Sequence, residues 1–282
     1  MGTPRCTVII ATYNRCSVLA YAIRSVLAQT MGDFELLVIG DGCVDDSKQV
    51  VASFADSRIS WLNLSSNTGH QYGPNNTGLR LATSRFVAYL GHDDLWLPGH
   101  LHAIMPALES GAAFVHTSVA ISSPGRPLSR IDQPPWWRIR GRRKPWIPPT
   151  CFAHPVEPAI RVGGWPSPDS CGKVDPDAQL AWAITRKGKK RVYVPRLTAI
   201  KLPAAHRENC YRDLKALEQA AWWEWISQAT HPEELLAEAV RSNRSPVAPP
   251  LNTTPIPGKV SSTIKRHEAR RRYKGLDSVS GR

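Results

Sequence analysis

No run of roughly 18 uninterrupted apolar residues, the length that crosses a bilayer as a helix, occurs in this 282-residue sequence. The first residues, MGTPRCTVIIATYNR, lack the apolar core and small-residue cleavage site of a secretory leader. Cys6 stands where a myristoylation signal wants Ser or Thr. No two of the six cysteines (Cys6, Cys16, Cys43, Cys151, Cys171, Cys210) have C-x-x-C spacing, so a structural zinc site is not indicated and reduced thiols are expected. These absences point to a cytoplasmic protein, at most peripheral at a membrane and not secreted. Acidic residues are scarce: 23 Asp and Glu stand against 36 Lys and Arg, a formal charge of +13. The surplus favours anionic partners such as phosphate groups, nucleic acid or anionic lipid, without choosing among them. Glycine and proline are plentiful, 19 and 24 residues, but follow no period, which excludes a collagen-like chain. No internal repeat is evident. Apolar residues at 42% and charged residues at 21% are those of a chain with a packed core.

The first 120 residues alternate two periodicities. Apolar runs at 7–11, 34–39, 59–64 and 86–90 read as buried strands. Between them, apolar residues at helical spacing over 17–28 (Val18, Leu19, Ala22, Ile23, Val26, Leu27) read as a helix. Further helices are expected from the Asp45-Asp46-Ser47 cap to about Phe54, and over 74–83. Continuous apolar strands separated by amphipathic helices predict an α/β fold, a mostly parallel sheet covered by helices on both faces. Such a sheet takes ligands at the carboxyl ends of its strands. Polar residues gather there: Thr12-Tyr13-Asn14 after the first strand, Asp41 after the second, His92-Asp93-Asp94 after the fourth.

Residues 123–150, rich in Pro, Trp and Arg, read as a long loop or flap. Five basic residues lie between Arg138 and Lys144, with Trp136, Trp137 and Trp146 around them. Basic residues interleaved with aromatics suit a nucleic acid, a membrane surface or a flap over an anionic donor, and equally a solvated loop. A helix over 175–186, one or two strands over 191–201, and helices over 212–230 and 232–243 follow. The last stretch, 245–282, reads as a Pro-rich linker and a flexible basic tail.

Five segments together resemble the family 2 glycosyltransferases: VIIATYNR (8–15), SVLAQT (25–30), FELLVIGDG (34–42), NTGHQYGPNNTGLRLA (67–82) and FVAYLGHDDLWLPGHL (86–101). The resemblance implies a GT-A (Rossmann-like) domain over 1–210. Its donor-binding half spans 1–105 and its acceptor-side half 106–210, followed by C-terminal helices at 211–244. It implies an inverting, metal-dependent transfer of a sugar from a nucleotide-diphosphate sugar, with UDP favoured, to a hydroxyl acceptor. On that reading Ala11, Thr12 and Tyr13 line the base site, and Asp41 accepts the ring N–H of uracil. Asp93 reaches the ribose or the metal shell, and Asp94 binds the metal, Mn²⁺ or Mg²⁺. His206, in KLPAAHRENC, would approach the metal or diphosphate. The family's first acid of the metal motif is absent here, where Gly91-His92 precede Asp93. Asn75 and Asn76 stand where the family shows Arg-Asn, so a cation expected near the nucleotide is missing; Asn76 stays a donor contact or a packing residue. Asp177, after Val162-Gly163-Gly164-Trp165, falls at the position of the catalytic base, with Asp175 as its rival and helix capping as the plain alternative. Trp165 is read as a sugar wall or a core residue. The acceptor is left open among a glycan, a lipid-linked sugar and a modified nucleic acid. The alternatives are a nucleic-acid-directed, base-modifying transferase or nucleic-acid binder, reading the basic tail as its contact, and a catalytically inactive nucleotide-sugar-binding relative.

Overall fold

A computed structural model of the 282-residue chain describes residues 2–132, 147–171, 175–186, 189–212 and 215–247. The basic, Trp-rich stretch of the expected flap and the expected basic tail from 248 onward lie outside the described residues. The first 105 residues are built as the apolar runs demand. Strands β1 (Cys6–Thr12), β2 (Phe34–Gly40), β3 (Ile59–Asn63) and β4 (Phe86–Gly91) pair in parallel in the order β3-β2-β1-β4. Helices α1 (Cys16–Leu27), α2 (Ser47–Ala52) and α3 (Tyr72–Leu81) form the crossovers. Helix α3 packs on β1 and β2. It begins two residues ahead of expectation because Pro74 fits a first helical turn, where an N–H has no partner to lose.

The sheet continues past β4 with mixed pairing. The short strand β5 (Leu95–Trp96) follows β4 in the chain, then α4 (His100–Glu109), β6 (Phe114–Ile121) and β7 (Ser129–Ile131). Next come β8 (Phe152–Pro155), α5 (Val156–Arg161), α6 (Pro176–Ile184), β9 (Arg191–Lys201), α7 (Leu217–Gln228) and α8 (Pro232–Arg241). The order runs β4-β8-β6-β9-β5, with β7 on β6. Strand β8 is antiparallel to both β4 and β6, whereas β6 and β9 are parallel. The parallel expectation therefore holds for the first four strands, and the second half is mixed. Strands β7 and β8 were hidden in Pro-rich sequence that carries little alternation.

Strand β9 is one strand with a break in register. Thr117 faces Val194, but Val119 faces Ala199. Pro195 lies at the break and has no N–H to give to the ladder. The strands β1, β2, β4, β6 and β9 all run toward one edge of the sheet. A main core fills both faces, with Trp96, Tyr89, Phe114, Phe152 and Trp165 among its largest buried side chains. A smaller core of Leu95, Leu97, Leu197, Leu202, Trp222, Ile226 and Leu236 fastens α7 and α8 to the β5–β9 side. No helix among the described residues is long and apolar enough to cross a membrane.

Candidate active site

The turn after β1 and the end of β2 adjoin at the carboxyl edge of the parallel strands. Asn14 adopts a left-handed conformation (φ 44°), which its short amide side chain tolerates. Its Oδ1 accepts the Val44 N–H at 2.8 Å, tying the two strand-end turns together. Asp41 donates its own N–H to Thr12 O at 2.8 Å. Its carboxylate Oδ1 accepts from Thr68 N at 2.9 Å and Thr68 Oγ1 at 2.8 Å. Burial pushes the Asp41 carboxyl above its ordinary value, and these hydrogen bonds oppose the shift. Ala11 and Tyr13 are half-buried, and Thr12 is buried. The Tyr13 ring centroid lies 6.4 Å from that of Tyr211, in the segment after β9.

At the end of β4, Asp94 is fully buried. Lys201 Nζ donates to Asp94 Oδ2 at 2.8 Å and Leu202 N donates to Oδ1 at 2.9 Å. Thr150 Oγ1 donates to the same Oδ2. Both oxygens thus accept from protein donors, and the Lys201 ammonium lies against the carboxylate. His206 Nδ1 lies 2.7 Å from Ser123 Oγ. Among the described residues no three His, Cys, Asp or Glu side chains gather into a metal cage. Asp93, next to Asp94, is the acid whose charge acts on both Lys201 and Tyr211. One such carboxylate suits a hard cation that takes its remaining ligands from donor phosphates and water, as Mg²⁺ commonly does. The adjacent acids Asp93 and Asp94 are the carboxylates at the end of β4 that could offer oxygen to such a cation.

Asp177 occupies the first turn of α6 and is buried, whereas Asp175 before it is exposed. Neither makes the expected capping bond: the helix has no side-chain cap, and Asp177 Oδ1 instead accepts its neighbour Ala178 N at 3.0 Å. Burial, with the charge of Asp175 added, pushes the Asp177 carboxyl up to about 7. Lys201 pulls it the other way. Burial alone would lower Lys201, but the charges of Asp94, Asp93 and Asp177 outweigh that and hold the amine above its ordinary value. Lys201 thus sits at the junction of the β4 acids and the α6 acid.

Asn76 and Trp165 are joined. Asn76 Oδ1 accepts Trp165 N at 2.8 Å while its Nδ2 donates to Trp165 O at 2.9 Å. The amide thus clamps α3 to the Trp165 backbone, which agrees with the packing reading of Asn76. Trp165 is 2% exposed and stacks on Phe152 at 5.9 Å, so it belongs to the core and offers no wall to a sugar. Lys201, Thr150, Arg15 and Tyr211 were not singled out from sequence. Only Lys201 carried a signal, a charged residue closing the apolar strand RLTAIK.

The description "Glycosyl transferase family 2" fits residues 7–155. A GalNAc(5)-diNAcBac-PP-undecaprenol beta-1,3-glucosyltransferase of Campylobacter jejuni is 35% identical over 127 residues, 43% of this chain and 40% of that protein. UDP-Glc:alpha-D-GlcNAc-diphosphoundecaprenol beta-1,3-glucosyltransferase WfgD of Escherichia coli is 34% identical over 116 residues, 41% of this chain and 46% of that protein. The chain thus matches under half the length of these relatives. In fold it is similar to S. aureus TarS 1-349 in complex with UDP-GlcNAc (TM-score 0.58, 14% identity, 85% of this chain and 71% of that one). The mannosyltransferase PcManGT from Pyrobaculum calidifontis, in complex with GDP-Man and Mn²⁺, is similar too (TM-score 0.55, 16% identity, 99% of this chain and 85% of that one).

Proposed function

Since this chain belongs to glycosyl transferase family 2, we propose that it moves a sugar from a UDP-sugar to a hydroxyl of a lipid-linked saccharide, with inversion at the anomeric carbon. The observation that carries the mechanism is Asp177. It is a buried carboxylate raised to about 7 by burial and Asp175, and electrostatically joined through Lys201 to Asp93 at the end of β4. A base with a pKa near the working pH is well matched to proton abstraction.

Tyr13 and Asp41 hold the base of the nucleotide: the ring offers a stacking face and the carboxylate accepts a ring N–H. Asp93 lies toward the diphosphate. A divalent cation held by Asp93 together with diphosphate oxygens would neutralise charge on the leaving group. Asp177 takes the proton of the acceptor hydroxyl as its oxygen bonds to the anomeric carbon. The bond from that carbon to the diphosphate oxygen breaks on the opposite face, and the nucleoside diphosphate leaves with the electron pair. Lys201 keeps Asp94 neutralised, so the floor of the site stays rigid. The lipid-linked acceptor is supported by the names of the Campylobacter jejuni and Escherichia coli relatives.

The test is a transfer assay with a panel of UDP- and GDP-sugars and a synthetic prenyl-diphosphate-linked sugar, with product configuration read by NMR. Inverted product from a UDP-sugar, lost on Mn²⁺ removal, is expected. Retained configuration, or full transfer by Asp177→Asn, would overturn the reading.

A further inference from the structure

The turn leaving β1 contains polar atoms that are buried yet have no hydrogen-bond partner among the described residues: Thr12 Oγ1, Arg15 Nε and Nη1, and Ser17 Oγ. The guanidinium is the costly one, because a charged group taken from water must recover its lost hydrogen bonds somewhere. Arg15 is 4% exposed, so bulk solvent does not reach them.

What Arg15 does have is an aromatic face. Its Cζ lies 5.1 Å from the Tyr211 ring centroid. A cation over an aromatic ring is held in place while its in-plane N–H groups stay available. Tyr211 also lies 6.4 Å from the Tyr13 ring and 6.0 Å from the His92 ring, and the charge of Asp93 acts on it. Arg15 is thereby placed between the base-holding wall at Tyr13 and the end of β4 at Asp93. Phosphates joining a base at the first to a metal at the second must cross that span. Lys201 is committed to Asp94, and the neutral Asn75 provides no cation from α3.

We propose that Arg15 is a phosphate-recognition residue of the donor cleft. Its Nε and Nη1 donate to oxygens of the nucleoside diphosphate, and Tyr211 holds the guanidinium plane. This rests on the donor reading above. The geometry commits Arg15 to the donor's diphosphate and not to that of a lipid-linked acceptor, because its neighbours are the β1 turn and Tyr13. A planar guanidinium with several fixed donors suits phosphate oxygens better than an ammonium does.

The experiment compares UDP, uridine and a short prenyl diphosphate by calorimetry in EDTA, with the wild-type protein, Arg15→Met and Arg15→Lys. Wild type should bind UDP more tightly than uridine. Arg15→Met should lose roughly tenfold or more in UDP affinity, the scale of a charge-assisted hydrogen bond, with uridine unchanged; Arg15→Lys should fall between. An unchanged UDP-to-uridine ratio in Arg15→Met overturns the proposal. So does a prenyl diphosphate that competes with UDP in wild type but not in Arg15→Met, since Arg15 would then serve the acceptor. If wild type binds neither UDP nor uridine, in EDTA or with Mn²⁺ added, the donor reading fails and the proposal with it. Should Arg15→Met not fold, a crystal structure of the wild-type UDP complex decides: Arg15 hydrogen-bonded to a phosphate supports the proposal, and an Arg15 away from both phosphates overturns it.

Discussion

Lys201 Nζ lies 2.8 Å from Asp94 Oδ2, so the last residue of β9 locks the carboxyl end of β4. The two residues are 107 positions apart in the chain. Their pairing closes the mixed half of the sheet against the parallel half. It also fixes Asp94 in the fold: the carboxylate is fully buried and accepts from Lys201.

Asp93→Ala and Asp94→Ala should therefore fail in different ways. Removing Asp94 leaves the Lys201 ammonium buried without its partner, a loss of about 3–5 kcal/mol in stability. Urea denaturation should show it, and adding Lys201→Met should recover part of it. Asp93→Ala should unfold near the wild-type midpoint but lose Mn²⁺-dependent donor binding. A stable Asp94→Ala protein that has lost only metal-dependent binding would restore Asp94 as the ligand.

Asp177→Asn keeps the shape of the side chain and removes its basicity. Transfer should drop by roughly 10²–10⁴-fold with donor binding intact. Asp175→Asn should cost far less, because Asp175 is exposed and makes no capping bond. In the wild-type enzyme kcat/KM should rise with pH through about 7, as the carboxyl raised by burial and Asp175 loses its proton. A profile flat from pH 6 to about 8 would remove Asp177 from the proton-transfer step.

Acid should weaken the fold through three buried histidines. Burial holds His100 at about 3, His116 at about 4 and His154 at about 4, all below the ordinary 6.5. At His154 burial outweighs the bond from Nδ1–H to Pro155 O, 2.9 Å, which opposes the shift, and Nε2 lies 3.1 Å from the Tyr89 hydroxyl. The neutral Nδ1–H tautomer satisfies both. Below pH 6.5 the unfolded chain takes up protons that the native state refuses. Their contribution is complete above that pH and drains away as pH falls toward about 4. Asp177 works in the opposite sense, weakening the fold as pH rises from 3.8 toward about 7. Urea midpoints between pH 4 and about 8 should fall on the acid side, and His154→Gln should flatten that slope.

Gly164→Ala tests the clamp beside α6. Gly164 has φ 72°, and a Cβ there would sit 2.2 Å from Asn76 Oδ1. The substitution should destabilise by about 1–3 kcal/mol through backbone strain and loss of the Asn76–Trp165 bonds. Thermal unfolding measures it, and an unchanged Tm would show that the clamp is slack.

Much of the donor half was legible because its information is local. The apolar runs of β1, β2 and β4 are buried on both faces. The polar residues that end them, Tyr13, Asp41 and Asp93, could be placed at one edge by the parallel reading alone. The acceptor half resisted for an equally local reason: β8 is four residues ending in Pro155, β7 is three, and neither shows a period. The identity of the anchoring acid was not legible either. Asp93 and Asp94 are the same residue type side by side, and only their partners tell them apart.

From its own pattern, then, the chain determined the alternation of strand and helix, the family and the edge at which the chemistry sits, because hydrophobic period and strand-end polarity are written in neighbouring residues. The tertiary structure alone decided which carboxylates are buried and which groups face them. Burial at Asp177, the Lys201 amine beside Asp94 and the Tyr211 ring beside Arg15 each depend on groups far apart in sequence. A side chain's protonation and availability are set by the dielectric and the partners around it, and those exist only once the chain has closed on itself.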